Sequence, residues 1–172
     1  MDYLARKINS SRWEPTPYTG PEDVRADAIT VCLKSTDDSL SFWHCNAELE
    51  DLSEVVLAYA STLKTIEGLH FVLLEKNDLD INGFTVKSDP EGTMTPIENL
   101  RRRHVSLINL TMTQLCFIAR RIAIKVRQNS HLYLFTRENV LDILFDAIKK
   151  DRVQLNSLKD GVKNELHKRL RG

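Results

Sequence analysis

The chain has 172 residues, 42% hydrophobic and 28% charged, with 24 basic and 24 acidic side chains and a formal net charge of zero. That apolar content argues against a disordered chain, and the length suits one compact domain or two small units sharing an interface. Three widely spaced cysteines, Cys32, Cys45 and Cys116, argue against a disulfide framework, and no CxxC or CxxxxH spacing offers a zinc site.

Residues 1–21 read as an N-terminal arm. Tyr3, Leu4 and Ile8 suggest a short amphipathic turn, and three prolines between Trp13 and Pro21 forbid a helix and favour extended backbone. Trp13 and Tyr18 each need a home, either in the protein's own core or on a partner. Residues 22–93 read as an acidic ββαββ unit. Ile29, Val31 and Leu33 alternate with polar residues over 28–34, which predicts a half-buried strand, and residues 39–45 alternate again after the turn at Asp37-Asp38, making a hairpin. Leu49, Leu52, Val55, Val56, Tyr59 and Leu63 recur at helical spacing over 47–64, starting at Ala47, with Asn46 as cap. The apolar run at 69–75 reads as a central strand. After a turn at 76–78, residues 79–87 read as one bulged strand or two short ones, with Asn82-Gly83 as a tight-hairpin signal.

Residues 94–172 read as a basic, four-helix unit. Thr95, Pro96 and Glu98 supply a cap, a first-turn proline and a capping box for a helix placing Ile97, Leu100, His104, Leu107 and Ile108 on one face. Thr111 and Gln114 open a second helix reaching about Gln128, and the short link predicts an antiparallel helical hairpin. Residues 131–135 are extended. Thr136 caps a third helix through Lys149, and Ser157 or Asp160 caps a last one with a narrow stripe of Leu158, Val162, Leu166 and Leu170.

The zero net charge hides a segregation. Residues 14–98 hold 17 acidic against 5 basic side chains, and residues 99–172 hold 6 against 16. Residues 99–136 contain no acid but carry Arg101, Arg102, Arg103, Arg120, Arg121, Lys125 and Arg127. Guanidinium groups suit bidentate pairing with carboxylate or phosphate, so something anionic should face them: nucleic acid, an acidic protein, or the chain's own acidic half. On two neighbouring antiparallel helices these charges would merge into one patch. Phe117 is the only Phe, Tyr or Trp between residues 99 and 130, and it reads as core rather than as a base-stacking platform.

No motif for a named reaction stands out. His44 and Cys45 are neighbours on a strand, so their side chains point to opposite faces and cannot form a nucleophile pair. Glu75, Asp78 and Asp80 with Lys76 and Lys87 have the composition of a metal-dependent nuclease cluster but lack its Glu-x-Lys element. The five histidines are scattered, and no phosphate-cradling or nucleophile-elbow glycine pattern occurs. The N-terminus has no apolar run after its charges, and the most apolar stretch falls short of the roughly 20 residues that cross a membrane. These features lead to the expectation of a cytoplasmic, α+β, non-enzymatic protein-interaction or accessory subunit, with no cofactor and no metal. The contacts would be made by the arginine-rich segment and by a Trp13–Tyr18 arm. The alternatives are a nucleic-acid-binding accessory protein acting through the same basic residues, and a metal-dependent hydrolase using residues 75–80.

Overall fold

In chain order the computed structural model, which describes residues 2–17, 20, 23–46 and 48–171, runs through β1 (Tyr3–Ile8), a 3-10 turn (Ser10–Arg12), a π-helical turn (Ala28–Cys32), β2 (Leu40–Cys45), α1 (Leu49–Ala60), β3 (Leu69–Glu75), α2 (Lys76–Ile81), β4 (Thr85–Ser88), α3 (Glu98–Arg101), β5 (His104–Ile108), α4 (Met112–Arg127), β6 (Leu132–Phe135), α5 (Arg137–Lys149) and α6 (Asp160–Arg171). The six strands form one sheet in the order β4-β5-β2-β1-β3-β6, and every neighbouring pair is antiparallel. The α+β expectation therefore holds, and all three sequence segments supply strands to this one sheet.

Helices cover both faces. Because strand side chains alternate, Tyr3, Ala5, Trp43, Leu69, Phe71, Leu73 and Phe135 point to one side, where they pack with Leu52, Val55 and Val56 of α1, Val140 and Leu144 of α5, and Val162 and Leu166 of α6. Leu4, Ile8, Phe42, Val72, Leu74, Val105 and Leu107 point to the other, where they meet Ala28, Leu33, Leu79 and the Ile118, Ala119, Ile122 and Ala123 stripe of α4. A strand buried on both faces needs apolar residues at every position, which is why β3 reads as a continuous apolar run.

Several local readings are overturned by long-range pairing. Residues 3–8 are not an amphipathic turn but an interior strand, paired with β2 on one side and β3 on the other. Residues 28–32 do not pair with β2. They form the π-helical turn, leaving Val31 54% exposed, and its carbonyl end is capped by Arg6, whose Nε and second terminal nitrogen donate to Cys32 O at 3.1 and 2.6 Å. Arg6 also lies 5.3 Å over the Phe42 ring, and burial pulls its pKa down to about 10, leaving it charged at neutral pH.

Residues 76–81 are helical rather than a turn leading into a strand, braced by an i,i+4 bond from Lys76 Nζ to Asp80 at 2.6 Å. The Asn82-Gly83 signal ends this helix instead of turning a hairpin. Gly83 sits at φ +73°, and Phe84 N–H returns to Leu79 O at 3.1 Å. The helix expected from Pro96 to beyond Leu107 is limited to the single turn of α3. Thr95 does not cap it, since its buried hydroxyl is bonded to Ser61 Oγ at 2.8 Å, and Ile97 stands at the cap position. Residues 104–108 are instead a strand between β2 and β4, so the expected helical hairpin does not form.

The long helices α4 and α5 start where their local capping signals place them. Thr111 and Gln114 form a reciprocal capping box on α4, and Thr136 and Asn139 form another on α5. The helix expected over 47–64 with Asn46 as cap is observed over Leu49–Ala60 with Glu48 at the cap position, Ala47 itself lying outside the described residues, and α6 includes Asp160 as its first residue rather than as its cap, with Val162 and Leu166 fully buried. The side chain of Leu170 lies outside the described set. No helix among the described residues is long and apolar enough to cross a membrane.

Candidate interaction surface

The seven basic residues picked out by the sequence do not form one patch. Arg101, Arg102 and Arg103 sit in and after α3, beside the sheet face that carries α1. Arg101 Nε donates to Thr95 O at 2.8 Å, Arg103 pairs with the Asp51 carboxylate of α1, and Arg102 is exposed. Arg120, Arg121, Lys125 and Arg127 lie on α4, which covers the opposite face. Arg120 is exposed, and Arg127 donates to the backbone carbonyl of Asp23. Arg121 reaches Asp78 at 2.9 Å and lies 5.1 Å over the Phe117 ring, while Lys125 donates to Glu75 Oε1 at 2.7 Å. Phe117 is half-buried beside Phe84, consistent with its reading as core.

Much of the charge segregation is therefore answered within the molecule. Asp51, Glu54, Glu75 and Asp78 of the acidic half take Arg103, Arg152, Lys125 and Arg121 of the basic half. The Arg152 guanidinium meets both Glu54 oxygens, and that hydrogen-bonded pairing raises its pKa further.

The acidic cluster at 75–80 and the basic stretch of α4 meet at a cleft of about 430 Å³ lined by Glu75, Asp78, Ile81, Arg121, Ile124 and Lys125. His131 closes the network, its Nδ1 3.1 Å from Lys125 Nζ and 3.2 Å from Glu75 Oε1. Its backbone is in the left-handed region at φ +50°, which a non-glycine residue holds only where its surroundings compel it. Partial burial pushes the Glu75 pKa up, but the Lys125 hydrogen bond and the charges of Lys125 and His131 outweigh it and hold the carboxyl below its ordinary range. The carboxylates do not converge on a vacant point: Glu75 and Asp78 face cations from α4, and Asp80 turns back to Lys76. Among the described residues no group of three or more His, Cys, Asp or Glu is placed to hold a metal ion.

Trp13 lies in the second core at 1% exposure, so it offers no face to a partner, and Tyr18 lies outside the described residues. His44 and Cys45 point apart as expected, His44 toward Asp2 at 3.8 Å and Cys45 into the first core. Burial, reinforced by the Asp51 charge, pushes the Cys45 thiol up to about 12. A thiol reacts as its thiolate, so iodoacetamide at neutral pH should alkylate exposed Cys116 in the native protein and leave Cys45 untouched until denaturant is added. Peptide mass mapping reads the outcome, and native labelling of Cys45 would contradict this burial.

The sheet leaves two edges. β4 is polar there, with Thr85, Lys87 and Ser88 exposed, and a lysine on an edge discourages further pairing. β6 is different, since Leu132, Tyr133, Leu134 and Phe135 carry no charge. Leu73 N–H bonds to His131 O at 3.0 Å, and Phe71 and Leu69 stand opposite Tyr133 and Phe135. Antiparallel alternation then turns the backbone N–H and C=O of Leu132 and Leu134 away from the sheet. Leu134 is 57% exposed. Beside it runs a groove of about 350 Å³ between β6 and the helices above, lined by Tyr133, Leu134, Phe135, Asn139, Asp142 and Ile143 together with Ser53. The sequence shows an extended run at 131–135, uncharged from Leu132 to Phe135, but not that this run is an edge.

No protein-family model, no curated protein and no solved structure matches the chain.

Proposed function

We propose that this chain is a non-enzymatic interaction subunit of a larger cytoplasmic assembly, which holds a partner protein by accepting an extended segment on the open edge of β6. One observation carries the reading: an uncharged edge strand presents outward backbone groups and a largely exposed leucine beside an apolar groove. A bare edge of this kind pairs with another strand, the main-chain bonds supplying affinity and the groove selecting side chains. The partner segment is therefore extended, uncharged where it faces β6, and apolar at the alternate positions that enter the groove. The free thiols Cys32, Cys45 and Cys116 fit the reducing compartment that this reading assumes. Four described residues of edge make a small contact, of the weak and reversible kind. The basic residues carry no comparable argument, because exposed Arg102 and Arg120 belong to opposite faces of the sheet and several of the others are held internally.

The test is selection of a random peptide library on the immobilised protein, with affinities of the winners measured in solution. Extended, alternately apolar peptides should be enriched. Leu134→Pro removes one outward N–H at an edge position that tolerates proline, and it should weaken the selected peptides about tenfold or more while the thermal transition stays near wild type. The reading fails if no such peptides are enriched, or if the proline variant binds them equally well.

A further inference from the structure

The four polar side chains that the fold buries among its described residues, Ser61, Thr95, His104 and Ser106, all gather around one loop, residues 89–96. Burying polar groups is unfavourable unless they are paired, so such a concentration calls for a reason. Three of the four are accounted for by hydroxyl bonds. Ser61 and Thr95 share one at 2.8 Å, and Ser106 donates to Asp89 Oδ2 at 2.7 Å.

His104 is the exception. Its Nδ1 lies 2.5 Å from the backbone carbonyl of Asp89, with the Asp89 carboxylate 3.7 Å away on the same side. A carbonyl only accepts, so Nδ1 carries the proton, and in the neutral ring this tautomer leaves a lone pair on Nε2. Nε2 has no hydrogen-bond partner among the described residues, and it is not one of the polar atoms sealed from solvent. The ring belongs to a residue only 2% exposed, and it lines a cavity of about 430 Å³ that also touches Trp43, Tyr59, Met94 and Lys159. Trp43 meets the imidazole edge-on at 5.1 Å and fixes its plane. Gly92 lets the loop close over it, since a Cβ there would stand 2.8 Å from His104 Cε1. An acceptor held in one tautomer, in one orientation, at the wall of a cavity of ligand size is a recognition element lacking its donor.

We propose that this cavity binds a small aromatic hydroxy acid. Its hydroxyl donates to His104 Nε2, its ring lies against Trp43 and Tyr59, with Met94, 83% exposed, as a soft apolar neighbour, and its carboxylate faces Lys159. A hydroxyl donor answers the open lone pair, the aromatic walls favour a flat ring, and the lysine favours an anion. The site is built on β2, β5 and the loop between β4 and α3, away from the β6 edge, so it stands or falls independently of the proposed partner surface.

The test uses the intact chain labelled with nitrogen-15 in its histidines, titrated separately with 2-, 3- and 4-hydroxybenzoate, with benzoate and with phenol. At least one hydroxybenzoate should shift the His104 imidazole resonances saturably. Benzoate, which lacks the donor, should bind about tenfold more weakly. Lys159→Gln should weaken the hydroxybenzoate and leave phenol unaffected. His104→Phe should abolish the preference for hydroxybenzoate over benzoate, with circular dichroism confirming that the variant folds. The proposal is overturned if no hydroxybenzoate shifts His104, or if benzoate binds the wild-type chain as tightly. That comparison needs no variant, so a misfolded substitution cannot protect the idea.

Discussion

Trp13→Ala lowers the unfolding free energy by about 3–5 kcal/mol, seen as a large drop in the urea midpoint followed by circular dichroism. Trp13 sits in a segment whose prolines suggest an arm, but its side chain is 1% exposed and belongs to the core beneath the π-helical turn and α4. Truncation removes the largest of the fully buried side chains and opens a cavity at a site whose neighbours come from several elements, so collapse to fill it is limited. The indole N–H adds a second prediction. Trp13 Nε1 is buried with no hydrogen-bond partner among the described residues, so Trp13→Phe, which deletes that donor along with part of the ring, should cost less than half as much as alanine. A Trp13→Ala variant within about 1 kcal/mol of wild type would show that the residue lies outside the core.

Lys125→Glu costs about 3–5 kcal/mol at neutral pH, whereas Arg120→Glu, on the same helix, costs less than about 0.5 kcal/mol. The Lys125 side chain is 12% exposed and donates to Glu75, so reversal removes the cation from a half-buried carboxylate and adds a like charge beside it. Arg120 is exposed and forms no ion pair among the described residues, so the same change there meets mainly water. The pH dependence follows from Glu75. Its pKa is held below the ordinary carboxylate range in the folded chain, so in the wild type this pair contributes stability above the unfolded pKa and loses it as pH falls through the lowered folded value. In Lys125→Glu both carboxyls are destabilised as charges, so acidification relieves the repulsion and the gap to wild type narrows toward low pH. Urea unfolding of the three proteins at neutral and mildly acidic pH measures this. A gap that widens on acidification would contradict the assigned network.

The candidate surfaces were legible only in fragments. The LYLF run is visible as an uncharged extended segment, but an edge is defined by the absence of a neighbouring strand, which no local pattern encodes. His104 falls at helical spacing with Ile97, Leu100 and Leu107, and that coincidence conceals a strand residue. The cavity it lines is assembled from β2, the loop before α3, the end of α1 and the segment leading to α6, whose proximity is not visible in any window of sequence. The charge map was likewise only half visible. The opposed signs of the two halves stand in the sequence, but that Glu54 meets Arg152 across 98 residues, and Glu75 meets Lys125 across 50, depends on how the sheet is threaded.

By itself the sequence determined the mixed α+β class, the helices α1, α4, α5 and α6, and the strands β2, β3 and β6. Helices close their hydrogen bonds four residues away, and their signals, the Thr111–Gln114 box, the Thr136 cap and the apolar stripes, are equally local. Tertiary structure alone decided that residues 3–8 and 104–108 are strands, that residues 28–32 coil, and that the two basic segments part to opposite faces. A strand's backbone partners lie elsewhere in the chain, so β1 becomes a strand because β2 and β3 stand ready on either side of it, and β5 because β2 and β4 do.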